Sequence, residues 1–200
     1  MESYAGTGRA TAARARGALG GVDGNELLTS ATAVLLVVLL AAEGITLLDF
    51  GGLLSVHMFI GLVLIPPVLL KLASTGYRFA RYYLRAPAYR EKGPPLLPLR
   101  ILAPVLAATT VGVLATGVWL LLLGHKSDQV LFLHKALFIA WSVVFGIHFL
   151  AYAPRMLRSV FGSTQRLPGT GVRGTLVAAS LGAGVALALS LASAIAGWHA

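Results

Sequence analysis

Cysteine is absent from all 200 residues. Its absence excludes disulfides, iron–sulfur clusters and covalent haem attachment through a C-x-x-C-H motif. Room for a soluble domain is missing as well, because long apolar stretches take up most of the chain and leave only short connectors. Two of those connectors hold almost no charge: Asp49 in one, Lys126 and Asp128 in the other. The first apolar run is longer than a typical signal-peptide core and lacks a cleavage site, so it reads as a retained span.

What is present is apolar. The chain is 57% hydrophobic with a mean hydropathy of +0.82. A bilayer core about 30 Å thick needs about 20 apolar residues per helical span. Five stretches qualify: Leu27–Leu48, Val56–Ser74, Ile101–Leu123, Val130–Tyr152 and Thr175–Trp198. Residues 1–26, rich in Gly, Ala and Arg, read as a flexible tail before one transmembrane helical domain, 27–200. The fold class expected is therefore an all-α integral membrane protein.

The formal charge of +9 is a topology signal and not a nucleic-acid footprint. Arg9, Arg14 and Arg16 precede the first span. Arg78, Arg81, Arg85, Arg90, Lys92 and Arg100 lie between the second and third, and Arg155, Arg158, Arg166 and Arg173 between the fourth and fifth. Short loops rich in Lys and Arg stay in the cytoplasm, which puts the N-terminus inside and the C-terminus outside. The same residues suit anionic lipid headgroups. Arginine well in excess of lysine, with abundant Ala, Gly and Leu, fits a GC-rich bacterial genome and a bacterial cytoplasmic membrane.

On this orientation the second span runs inward from His57, passes Pro66-Pro67 and leaves through an interfacial belt of Tyr and Arg, 77–83. Prolines there remove backbone donors and kink the helix, which membrane helices tolerate where neighbours re-satisfy the freed carbonyls. Asp49-Phe50-Gly51-Gly52 reads as a turn, and Asp128 as a cap for the fourth span. The fifth span, without charge in its middle, reads as a peripheral packing helix.

The chemistry sits in the second and fourth spans. His57 precedes Lys71 by fourteen residues, and His134 precedes His148 by the same interval. Fourteen helical residues turn through about 1,400°, within roughly 40° of four full turns, and rise roughly 21 Å. Polar groups at that interval lie on one face at two depths. Both spans start at the outer surface, so His57 and His134 are level, as are Lys71 and His148. Ionisable groups inside a span are expensive and face the bundle interior.

An axial pair His57/His134 would hold one haem in the outer half, with His148 a ligand to a second haem deeper in the bilayer. Iron bound by two neutral imidazoles has no open site, which favours electron transfer over oxygen chemistry. Gly61, Gly112 and Gly117 leave space beside a porphyrin face. Lys71 has three readings: a neutral ligand, a snorkelling cation at the inner interface, or a partner of a propionate or quinone oxygen. Glu43 reads as a boundary carboxylate or a proton carrier at an outer quinone site. His125 and His199 read as solvated, Trp119 and Trp198 as an outer aromatic belt.

These residues resemble the cytochrome b membrane subunits of bacterial respiratory enzymes, the haem-bearing anchors of hydrogenases, formate dehydrogenases and molybdenum oxidoreductases. The segments carrying the likeness are Val56-His57-Met58-Phe59-Ile60-Gly61, Pro66-Pro67 and Lys71 to Phe79, within 53–154; they also look like actinobacterial membrane proteins of that kind. The resemblance implies spans one to four as a haem-binding four-helix bundle, haem b as cofactor, menaquinone or ubiquinone as electron carrier, and a separate redox protein or subunit as partner, in a monomer or an oligomer. It implies His57 and His134 as one axial pair and His148 as part of a second. The departure is Lys71, where two-haem members carry histidine. One haem, a Lys/His haem or a quinone pocket in its place all stay open. The competing class is a haem-free transporter or structural subunit that uses the same residues for proton relay or helix packing, and a third is a haem-handling protein.

Overall fold

Apolar side chains with no polar interruption force a backbone that satisfies its own hydrogen bonds, and in lipid that backbone is helical. The computed structural model describes residues 20–91, 97–161 and 169–198, with no extended strand among them. Arg9, Arg14, Arg16, Lys92, Arg166 and His199 lie outside the described residues, as do positions 1–19 of the tail. Seven helices are described: α1 Gly21–Thr46, α2 Phe50–Tyr83, α3 Pro87–Glu91, α4 Leu97–Leu123, α5 Asp128–Phe161, α6 Thr170–Ser190 and α7 Ala192–Ala196. Five of these, α1, α2, α4, α5 and α6, are long and apolar enough to cross a membrane. The chain is a multi-pass membrane protein.

The helices overrun the apolar stretches. At 34 residues each, α2 and α5 are about 51 Å long at 1.5 Å per residue, well beyond the bilayer core. Hydropathy ends at the first arginine, whereas the helix continues through the Tyr/Arg belt. The segment read as a turn at 49–52 is a helix start: Asp49 caps α2 by accepting from the Gly52 amide at 3.2 Å, and Phe50 is already helical. The fifth span also differs from its expected limits, starting at Thr170 and breaking at Leu191 before the short α7. Its Ala/Gly/Leu run stays apolar through that break, so hydropathy gave no sign of it.

Four helices form a square. The hairpin pairs α1–α2 and α4–α5 pack closely, and the hairpins meet more loosely through α1–α5 and α2–α4. No comparable contact joins α2 to α5, which therefore stand diagonally opposed. On α5 the faces separate cleanly. Phe132, Ile139, Val143 and Leu150 are exposed on one side, while His134, Phe138, Trp141, Phe145 and His148 recur every three to four residues on the other. Phe138, Trp141, Phe145 and Phe149 stack in succession, and the Trp141 indole donates to Thr110 Oγ1 on α4 at 3.0 Å.

α6 lies outside the square, packed on α2 and α1. Much of the buried core gathers at this contact: Leu62 and Val63 with Ala188, joined by Leu121 and Ile195. Pro67 has no amide hydrogen to give the Val63 carbonyl four residues earlier. Gly184 brings the α6 backbone against that same carbonyl, and a side chain at position 184 would overlap it. A proline and a glycine on different helices thus shape one close crossing.

At the far end of α2, α3 folds back so that Tyr89 meets Tyr77 edge-on at 6.0 Å and Arg81 lies 5.9 Å from the Tyr89 ring. Burial, with a smaller contribution from Tyr77, pushes the Tyr89 phenol above its ordinary value.

Candidate haem site between the two hairpins

His57 lies in the second turn of α2, just past the short connection from α1. That connection returns the chain so that Thr46 and Glu43, in the last turn of α1, face it. His57 Nδ1 is 3.0 Å from Glu43 Oε1 and 3.1 Å from Thr46 Oγ1. The Thr46 hydroxyl donates to the Glu43 carbonyl at 2.5 Å, so towards the histidine it has only lone pairs to offer. Where the carboxyl group accepts as well, the proton sits on Nδ1 and Nε2 is left with a bare lone pair.

His134 repeats this arrangement on the other hairpin. Its Nδ1 is 3.0 Å from Thr116 Oγ1 on α4. The Thr116 hydroxyl lies 2.8 Å from the Gly112 carbonyl and 3.0 Å from that of Val113, which take its hydrogen. Again Nδ1 is protonated and Nε2 is left as the donor atom.

The two rings meet across the looser seam between the hairpins, with centroids 6.5 Å apart and planes at 88°. Two imidazoles binding one metal from opposite sides, with metal–nitrogen bonds of about 2.0–2.1 Å, have centroids about 6.4 Å apart. The angle is permissible, since either ring turns about its own bond without losing the metal. Among the described residues no group of three or more His, Asp or Glu gathers to hold a bare ion. Two imidazoles at this separation instead suit an iron whose other four ligands come from a porphyrin. The residues fit haem on two counts: donor atoms and ring separation.

The glycines divide. A Cβ at Gly117 would lie 3.3 Å from His134 Cε1, so this glycine lets the imidazole lie against the α4 backbone. Gly61 faces Glu43 Oε1 and Gly112 faces Leu137. A Cβ at Gly61 would make an ordinary 3.6 Å contact there, and one at Gly112 a crowded 3.1 Å contact.

The deeper level has a different character. Lys71 Nζ donates to the Thr29 carbonyl of α1 at 2.8 Å, so the amine is held between helices instead of snorkelling out. Asn25 Nδ2 donates to the Ser74 carbonyl at 3.1 Å, and Thr29 Oγ1 to Ser74 Oγ at 3.0 Å. Together these bonds tie α1 to α2. His148 lies near enough to Lys71 to interact electrostatically. Its Nδ1 is buried without a hydrogen-bond partner, and its ring is 4.6 Å from that of Tyr152. Among the described residues no second histidine faces it.

His125 is exposed, with Nδ1 3.1 Å from the Lys126 carbonyl. Trp119 is exposed, while the Trp198 indole donates to the Leu120 carbonyl at 2.9 Å and ties the chain's end to α4. Sequence reasoning missed Thr46 and Thr116, whose signal was a hydroxyl near the end of the preceding helix of each hairpin. It also passed over Lys135, which is exposed beside His134 on α5. No protein family, characterised protein or solved structure matches this chain.

Proposed function

We propose that this chain is a b-type cytochrome membrane subunit, of the kind that anchors respiratory oxidoreductases. It passes electrons between a membrane quinone, menaquinone or ubiquinone, and a partner redox protein. The observation that carries the reading is the neighbouring pair His57/His134, each ring with its Nδ1 engaged by polar groups of the preceding helix. His57 and His134 would hold one haem b, which supplies reversible one-electron chemistry when bound. The protein's part is to fix both imidazole tautomers through Glu43, Thr46 and Thr116, and to surround them with apolar helices that exclude water.

One haem is favoured over two. Among the described residues the deeper level has a single histidine, and the Lys71 amine is already engaged by a backbone carbonyl. Asn25, Thr29, Lys71 and Ser74 serve there as interhelical hydrogen bonds. The basic connectors orient the chain in a bacterial cytoplasmic membrane with the N-terminus inside and the C-terminus outside, which puts the histidine pair in the outer half.

The visible spectrum of protein purified from a haem-replete host tests the reading. A Soret band and a reduced α-band in the b-type range are expected. Both bands should be lost in His57→Ala and in His134→Ala and kept in Lys71→Ala. Colourless wild-type protein would refute the proposal and return the chain to the transporter or structural class.

A further inference from the structure

The end of α2 and the start of α4 lie at one membrane surface, joined by the basic connector. On α2 the Phe79 and Tyr83 rings stand 4.5 Å apart, one helical turn from each other. Across the seam, Arg100 of α4 has its Cζ 5.8 Å from the Tyr83 ring and donates from Nη2 to the Tyr83 hydroxyl. That hydroxyl is thereby an acceptor, and its own hydrogen stays free to donate outward. Leu97 and Ile101 flank Arg100 on α4. Phe79, Leu97 and Ile101 are 63%, 66% and 63% exposed.

Arg100 occupies a position that a cation alone does not favour. Its guanidinium is always charged. It stands in the first turn of α4, the positive end of the helix, and that turn has no acidic residue. Among the described residues no carboxylate pairs with it. The 27 residues of α4 cover about 40 Å at 1.5 Å per residue, the thickness of a bilayer with its headgroups. The first turn therefore stands at headgroup depth, and Phe79, one turn in from Tyr83, reaches the level where acyl chains begin.

We propose that Arg100 and Tyr83 bind the phosphodiester headgroup of an anionic phospholipid, whose acyl chains run along Phe79 and Ile101 beside the loose seam between α2 and α4. The guanidinium and the hydroxyl supply two donors to one phosphate, and the lipid's net charge answers both the arginine and the helix end. A zwitterionic lipid has the same phosphate, but its own ammonium offsets that charge. The site is more specific than a basic surface. Arg81 shares the charge and the membrane surface, yet it lies against Tyr89 of α3, 5.9 Å from the ring, on another face of α2.

Native mass spectrometry of the purified full chain in mixed micelles tests this, with phosphatidylglycerol and phosphatidylcholine of equal chain length at equal concentration. Wild type should retain phosphatidylglycerol in preference. Arg100→Gln should lower that affinity roughly tenfold, to the level of phosphatidylcholine. Tyr83→Phe keeps the ring beside the guanidinium and should cost about threefold, whereas Arg81→Gln should stay within about twofold of wild type. Equal binding of the two lipids by wild type overturns the proposal, as does equal loss in Arg81→Gln and Arg100→Gln. Excess glycerol phosphate should not displace the lipid; displacement would assign the site to a free phosphate compound and overturn it too. If Arg100→Gln cannot be purified, Tyr83→Phe decides: the loss at unchanged Tm supports the proposal, and an unchanged preference overturns it. Haem enters none of these measurements, so their outcome is independent of the cytochrome reading.

Discussion

Replacing Gly117 by alanine separates ligand placement from folding. The added Cβ would lie 3.3 Å from His134 Cε1 and 3.8 Å from Nδ1, closer to Cε1 than side-chain carbons ordinarily come. The ring must retreat by a few tenths of an ångström. Without haem it can do so, since it is held only by hydrogen bonds, and alanine is the better helix former by up to ~1 kcal/mol. Were haem bound as proposed, the ring would be held between Thr116 and the iron, and because Cε1 is bonded directly to Nε2 the same displacement would strain ligation. Disturbing such supports reduces metal affinity by about 10–100-fold, or about 1.4–2.8 kcal/mol. Gly112→Ala is the control. Its Cβ would meet Leu137 Cδ1 at 3.1 Å, but that methyl is the end of a flexible side chain and can move aside. Titrating haem-free protein in detergent with haem while reading the Soret band gives the affinities, and thermal unfolding gives the stabilities. Gly117→Ala should bind haem at least tenfold more weakly with unchanged or higher Tm, and Gly112→Ala should resemble wild type. If Gly117→Ala binds normally, or if the two variants are equally impaired, His134 does not use the α4 backbone as its support.

Other variants probe the rest of the architecture. Gly184→Leu should destabilise the protein by about 1–3 kcal/mol through overpacking against the Val63 carbonyl, seen as a lower Tm in detergent with the haem spectrum intact in whatever remains folded. Lys71→Ala should leave the spectrum unchanged and lower stability by about 1 kcal/mol, the net worth of its bond to the Thr29 carbonyl. Because the chain has no cysteine, single cysteines report topology without background. A membrane-impermeant maleimide should label Ser127→Cys from outside in intact cells and should reach Arg90→Cys only after lysis; the reverse pattern would invert the orientation.

Different parts of this architecture were legible to different degrees. The spans could be read because hydropathy accumulates along the chain and needs no knowledge of neighbours. The levels of His57 and His134 could be read because successive spans alternate in direction, so the second and fourth run the same way. The partners of Nδ1 could not. Whether Thr46, Glu43 or neither meets His57 depends on the length of the connection and the rotation of one helix against the next. Glu43 therefore read as a boundary carboxylate, although the structure places it on the imidazole. Glycines are read with the same limit: a missing side chain shows that something can approach closely, but not what. The helix ends at Tyr83 and Phe161 lay outside the apolar runs because helices persist into water where hydropathy stops.

The most direct test is the haem content of purified wild-type protein together with its two histidine variants. The account predicts one haem b per chain, six-coordinate and low-spin, and none in His57→Ala or His134→Ala. A haem-free wild-type protein, or a haem that survives the loss of either histidine, would contradict it.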